Sequence, residues 1–342
     1  MRQYFLKWIE MHLSKTYYIL ILILLSLAHP VFSIEVARQD QNMAFFDQDQ
    51  FILSNHPESF KSPGIMFWHT LDQPVRCMFH HKNVSKEVLN IGLMLMNTKD
   101  KPAKISMILG IGGPSTDIVF AGHKAAESFF ESVLKGKPIQ LEVPPHTTIP
   151  LFWVPVKNQQ TVSGLFRVEA NVSIDMKLIA FDHEYPSLAS LTDIGDIKMF
   201  KPALYQESIR KMTYEFDTQN QIFGFQIGGV PFVKDLNRDI PIKGNYGMIY
   251  QVYLKLKNSE KEKKIIRLFV QPAKLNSIDR GVFLIQGKLK SVRLLKFLDG
   301  VLNAELLEEW TLEPNQTKEV ELITLPQAGC FYPIDMTIRV VQ

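Results

Sequence analysis

Three residues that lie close together in the sequence, Ser115, Asp117 and His123, are the types a hydrolase uses as nucleophile, orienting acid and base. They sit in or just after the run Gly110-Ile-Gly-Gly-Pro-Ser-Thr-Asp117. A triad works through convergence in space, which groups this close in one segment rarely achieve, and no Gly-x-Ser-x-Gly elbow is present. The same run offers a second chemistry. Gly112 and Gly113 open backbone angles closed to other residues, Pro114 fixes the exit, and Ser115, Thr116 and Asp117 follow as small polar groups, so a loop here can turn N–H groups toward an anion. It lacks the Gly-Lys-Ser/Thr ending of a phosphate-binding loop and the G-x-G-x-x-G spacing. The plainer role of Asp117 is to cap the helix that follows. The candidate ligand-binding residues are therefore Gly112, Gly113, Ser115, Thr116, Asp117 and His123, and no residue is nominated as catalytic.

Other chemistry is thinner. His80 and His81 are adjacent, so in a strand they face opposite sides and cannot share a metal ion without a bulge. No H-E-x-x-H or C-x-x-C is present, and neither a metal nor a cofactor is expected. Lys288, Lys290, Arg293 and Lys296 stud one strand, either as a guard against edge-to-edge association or as a contact for an anionic glycan or lipid headgroup. The aromatic pairs Phe67-Trp68, Phe152-Trp153 and Phe331-Tyr332, with Trp310, fill cores or stack on sugars. Asp47-Gln-Asp49 lacks the glycine and distal glutamate of a calcium loop. Cys77 and Cys330 read as two buried thiols, with one bridge between halves as the alternative. Asn83, Asn171 and Asn315 begin glycosylation sequons, which matter only in a host that glycosylates.

These residues need elements to position them. One helix is expected over 121–136. Ala126, Phe129, Phe130, Val133 and Leu134 form its apolar stripe, with His123, Lys124, Glu127, Glu131 and Lys135 mainly on the other side and Gly136 as its stop. This helix is expected to plug an open end or edge of a sandwich with its Phe pair in the core. Everything else in the mature chain reads as β. Short runs such as Val75–His81, Leu89–Asn97, Ile139–Val143 and Ile174–Phe181 are separated by turn-rich pieces. Tyr246–Lys257 alternates strongly, and the charged tip 258–264 joins it to Ile265–Val270. Residues 302–312 fit a helix or a strand equally well. The expected organisation is a signal peptide over 1–33, an extended arm over 34–62, and a β-sandwich over 63–182 carrying the helix. A linker and hairpin over 183–245 and a second β-sandwich over 246–342 follow. A soft echo joins the halves: Leu89–Asn97 and Tyr246–Asn258 each end in Asn, then a Lys-rich turn, then an apolar strand. The pattern is similar to that of immunoglobulin-like sandwiches in bacterial envelope proteins, a resemblance that implies two tandem antiparallel β-sandwich domains.

Tyr18–Ala28 is an apolar run of eleven residues, preceded by Lys15 and followed by His29-Pro-Val-Phe-Ser33. That suits a secretory signal cut after Ser33 and is short for a membrane span; Met11 is an alternative start. Removing residues 1–33 takes away Arg2, Lys7, Lys15 and Glu10 and leaves a net charge of +1, which gives nucleic acid no electrostatic purchase. The sequence thus points to an exported, periplasmic or cell-surface protein. It expects a non-enzymatic structural or binding role through contacts with an envelope or surface protein. Glycan binding is the alternative, and a hydrolase using Ser115, Asp117 and His123 is the remote one.

Overall fold

The computed structural model describes residues 49–56, 58–182, 201–205, 207–274, 277–298 and 301–341. The signal segment, residues 34–48 of the arm and residues 183–200 of the linker lie outside them. The described chain is mainly β with one α-helix, arranged as several largely antiparallel sheets.

The first set of strands is β1 (Gln50–Ser54), β2 (Ser59–Phe60), β3 (Gly64–Leu71), β4 (Val75–Asn83), β5 (Leu89–Asn97), β6 (Ala103–Ser115), β7 (Ile139–Val143), β8 (Thr147–Val156), β9 (Thr161–Ala170) and β10 (Ile174–Phe181). The helix, α1 (Ile118–Lys135), lies between β6 and β7. The second set is β11 (Ala203–Leu204), β12 (Ile209–Asp217), β13 (Ile222–Ile227), β14 (Lys234–Asp235), β15 (Ile240–Pro241), β16 (Ile249–Lys257), β17 (Lys264–Pro272), β18 (Ser277–Ile285), β19 (Lys288–Leu298), β20 (Val301–Leu302), β21 (Glu305–Leu312), β22 (Thr317–Thr324) and β23 (Ile334–Val341). Residues 305–312 are therefore a strand. A bulge leaves Leu307 unpaired between Leu306, opposite Phe269, and Glu308, opposite Leu268. The bulge puts the buried Leu307 and Trp310 three residues apart, which is why the segment also fits a helical period.

Strand order repeats between the sets. The first two sheets run β11-β1-β4-β9-β6-β7 and β3-β10-β5-β8, and the other two run β12-β16-β22-β18-β19-β20 and β13-β23-β17-β21. One sheet of each set contains a parallel pair, β1 with β4 and β12 with β16, and β11 of the second set joins the first sheet beside β1. This order matches β4 to β16 and so sets Asn83 opposite Asn258. Asn97 shares the same turn: its amide donates to Lys101 O (2.8 Å) and Val143 O (3.0 Å), and its Oδ1 accepts from Lys99 N (3.0 Å). The Asn83 amide donates to Glu87 O (2.9 Å) and Val156 O (2.7 Å), and its Oδ1 accepts from Ser85 N (2.8 Å). The Asn258 amide donates to Glu262 O (2.8 Å) and Leu312 O (3.1 Å), and its Oδ1 accepts from Glu260 N (3.1 Å). Both asparagines are fully buried, so the Asn83 sequon is structural.

Inward side chains of the first two sheets, among them Ile52, Phe67, Cys77, Phe79, Leu93 and Phe166, share one core. A second core joins the other two sheets to Ala126, Phe129, Phe130 and Val133 of α1, and to Phe51, Met78 and Leu165 from the outer face of the first sheet. The Phe pair therefore does not plug a sandwich end. It lies between the two sets of strands, where full burial of each ring contributes on the order of 1.5–3 kcal/mol. Both cysteines are buried and free.

Candidate functional site

The glycine run is not a loop. β6 continues through it as a thirteen-residue strand, and only Thr116 and Asp117 separate it from α1. Gly110 and Gly112 alternate onto the face where the helix lies. A Cβ on Gly112 would stand 1.9 Å from Ala121 O, and one on Gly110 2.3 Å from Ala125 O. These positions are glycine because helix backbone rests directly on strand backbone, so Gly112 and Gly113 form no free cradle of N–H groups.

Asp117 caps the helix: its Oδ1 accepts from Phe120 N (2.9 Å), and its Oδ2 pairs with Arg280 of β18 (3.2 Å). Ser115 Oγ accepts from Asp117 N (3.0 Å), and Thr116 is exposed. His123 lies on the buried side of the helix, 1% exposed, with Nε2 3.0 Å from Ser291 Oγ of β19. Burial, helped by the nearby Arg280 and Lys124 charges, lowers its pKa to about 4 against the pull of Glu127 and Gln327, so the ring is neutral. Ser115 and Asp117 thus hold each other at the helix start, while His123 bonds a different strand. The three do not assemble as nucleophile, acid and base. They fasten α1 between the halves, where Gly122 lets the backbone of Ala328 come so close that a Cβ would lie 1.7 Å from its carbonyl oxygen.

The helix also makes one wall of a groove. β7 pairs with β6 only from Ala103 to Met107. Among the described residues no strand pairs with Ile108–Ser115 on that side, although β9 continues along the other. Phe120, Lys124, Glu127, Ser128 and Glu131 of α1 and Ile111–Pro114 of β6 enclose an open groove of about 400 Å³. Lys124 and Glu127 form an ion pair within it. Burial pushes the Glu127 carboxyl up, but hydrogen bonds from Lys124 and Ser291 outweigh that and hold it below the usual range. Glu131 is exposed. The sequence nominated Gly112 and Gly113 here and placed Lys124, Glu127 and Glu131 opposite the apolar stripe without naming them as site residues. Their spacing at 120, 124, 127, 128 and 131 was the available signal, because it marks one flank of a helix.

The remaining nominated residues lie elsewhere. His80 Nδ1 bonds Ser163 Oγ (2.5 Å) and His81 Nε2 bonds Ser54 Oγ (3.0 Å), each on its own face of β4. No three His, Cys, Asp or Glu gather as a metal site among the described residues. On β19, Lys288 and Arg293 are exposed, Lys290 pairs with Glu308 (3.2 Å), and the side chain of Lys296 lies outside the described ones. No described helix is long and apolar enough to cross a membrane.

No family model matches the chain, and no curated protein matches it. Among solved structures, the CBM22-1-CBM22-2 tandem of Xyn10C from Paenibacillus barcinonensis is similar at 9% identity, covering 82% of this chain and 91% of that one with a TM-score of 0.17. The CUB1-EGF-CUB2 domains of rat MASP-1 match at 7% identity over 82% and 99%, with a TM-score of 0.20. The ANXUR2 extracellular domain of Arabidopsis thaliana matches at 9% identity over 80% and 83%, with a TM-score of 0.17. Likeness at this level carries no argument about function.

Proposed function

We propose that this chain is an exported, non-enzymatic binding component of the cell envelope or surface that takes up an extended segment of a partner protein in the groove between β6 and α1. One observation carries the reading: the outer half of β6 has a strand on one side only, and its other side is walled by a helix flank. An extended peptide laid in line with β7 would gain main-chain hydrogen bonds from the strand edge, and its side chains would be read by the groove walls. The exposed Glu131 favours a segment with Lys or Arg at one position, Glu127 being already paired with Lys124, and Ile111 and Phe120 favour an apolar residue beside it. The repeated strand order supports two tandem immunoglobulin-like sandwiches as the framework, and residues 18–33 support export. Turnover through Ser115, Asp117 and His123 has no support in the geometry.

The test is site-specific photocrosslinking from position 128 in the native host, with Lys255 as control. A single envelope protein captured from 128 and absent from 255, through one short extended segment, is the expected result. Equal capture from both positions, or none, refutes the reading.

A further inference from the structure

The two sets of strands finish corresponding edges differently. β1 runs parallel to β4 as β12 runs parallel to β16, and counting back along β4 and β16 from Asn83 and Asn258 matches Ile52 to Met212 and Leu53 to Thr213. In the first set, β11 pairs with Ile52 and Leu53, and Tyr205 packs edge-on against Phe51 with ring centres 4.7 Å apart. That edge is closed, and Ile52 is fully buried. In the second set, no strand among the described residues pairs with the outer side of β12. Met212, Tyr214 and Phe223 point between the two sheets there and stay half-buried, with the Tyr214 ring centre 5.2 Å from that of Phe223 and 5.0 Å from that of Phe225. A nine-residue edge without proline or bulge is a template for another strand.

The edge is complementary to itself. Alternation along β12 puts Lys211, Thr213 and Glu215 on the outer face and Met212 and Tyr214 on the face between the sheets. When two copies are laid antiparallel with their Thr213 residues opposite each other, all nine residues of each strand find a partner. Lys211 of each copy then stands opposite Glu215 of the other, and Met212 stands opposite Tyr214. Glu215 already reaches Lys255 (2.9 Å), but Lys255 also stands opposite Glu319 of β22, so two carboxylates share one ammonium and a second cation is accommodated. A lysine blunts an edge against like charge; here a carboxylate two residues beyond the strand midpoint answers it.

We infer that β12 is a self-association edge, through which two copies of this chain join about a two-fold axis at Thr213, making one continuous sheet and covering the half-buried Met212 and Tyr214. Such a contact is isologous, so it closes at the dimer. The surface shares no residue with the peptide groove and does not depend on it.

The experiment is sedimentation equilibrium of the processed chain, recovered after export, over a range of concentrations. Two edge strands make an interface at the small end of the specific range, so a monomer–dimer equilibrium with a Kd on the order of 10 μM is expected. Lys211→Glu and Glu215→Lys should each weaken the dimer by at least about tenfold, because each creates two like-charge pairs. The double variant carrying both reversals should return to within about threefold of wild type. Thr213→Cys should form an interchain disulfide under mild oxidation, since the paired Cα atoms lie about 4.5–5.5 Å apart. Thr311→Cys on the exposed edge strand β21 should not. All four positions are at the surface of a strand, and the disulfide reports the pairing even if a charge variant misfolds. The inference is overturned by a chain that stays monomeric up to about 1 mM, by single reversals that leave association unchanged, or by a double reversal that fails to restore it. Equal crosslinking from 213 and 311, or a different envelope protein captured from 213 in place of a second copy, also overturns it.

Discussion

Replacing Gly112 by alanine is the sharpest perturbation of the helix seam. The added Cβ would stand 1.9 Å from Ala121 O and 2.5 Å from Ala125 N, where contacts under 3.0 Å essentially never occur. Relief requires the helix to move at least 1.1 Å from β6, the difference between 1.9 and 3.0 Å. The obstructing atoms are backbone, so no rotamer change can absorb the clash. Overpacking a core costs about 1–3 kcal/mol when side chains can adjust. Here the cost should reach or exceed about 3 kcal/mol, because the shift also loosens the Phe129 and Phe130 contacts and the Asp117–Arg280 pair. Against a total stability on the order of 5–15 kcal/mol that is a large fraction, and it corresponds to a melting temperature lower by about 10 °C. Gly224→Ala is the matched control, since its Cβ would meet only Met336 O at 3.6 Å in an exposed part of β13. Differential scanning calorimetry of the two variants decides. A Gly112→Ala protein that melts within a degree or two of Gly224→Ala would refute the claim that helix and strand backbones are in direct contact.

Three further outcomes follow from buried polar groups. Burial raises the Asp279 pKa from 3.8 to about 6, against hydrogen bonds from Phe331 N and Ser277, so the folded state holds its proton more tightly than the unfolded chain between those values. That contribution is fully present below pH 3.8 and is lost as pH rises through 6. Asp279→Asn should therefore gain about 3 kcal/mol relative to wild type between pH 4 and pH 7 by urea titration, and a pH-independent difference would contradict the assignment. Asn258→Ala strips the partner from the Glu262 and Leu312 carbonyls and should cost about 3 kcal/mol, with Asn83→Ala costing a similar amount; a loss below 1 kcal/mol in either would deny the equivalence of the two turns. Burial lifts the Cys77 thiol well above its usual range and Cys330 to about 12, so neither should react with a disulfide reagent at pH 8 until the protein unfolds; fast labelling of the native chain would contradict that burial.

Much of the strand pattern was legible in the sequence because it depends on local alternation. Leu89–Asn97, Ile139–Val143, Ile174–Phe181 and Lys288–Leu298 form strands with the boundaries their residues suggest. What failed were features set by contacts distant in the chain. The run Gly110–Gly113 looks like a loop because glycine signals a turn when read alone, and only the helix packed upon it shows why a strand needs no side chains there. His123 falls away from the one apolar stripe that the sequence shows, yet it is buried because α1 is covered on two sides, by β6 and β9 and by β18 and β19. The echo between halves was visible, and Asn97 and Asn258 do hold their turns with the same bonds. Strand order sets Asn83 opposite Asn258, yet Asn97 makes the same bonds as Asn258, donating to Lys101, Val143 and Pro144 carbonyls and accepting from Lys99 N, so the echo read in the sequence is a turn motif that the fold uses three times. The groove was hidden for a similar reason: its existence depends on β7 stopping opposite Met107, which no residue of β6 announces.

The central claim is that the unpaired edge of β6 receives a strand. The most direct measurement is amide hydrogen exchange over Ile108–Ser115, with and without a synthetic peptide corresponding to the segment crosslinked at position 128. Strand addition should slow exchange of alternate amides in that stretch by at least about tenfold, as expected when open-edge N–H groups become hydrogen-bonded, and should leave β13 and β21 unchanged. Glu131→Arg should abolish the protection. Binding without protection of 108–115, or protection spread evenly over the chain, would contradict the account.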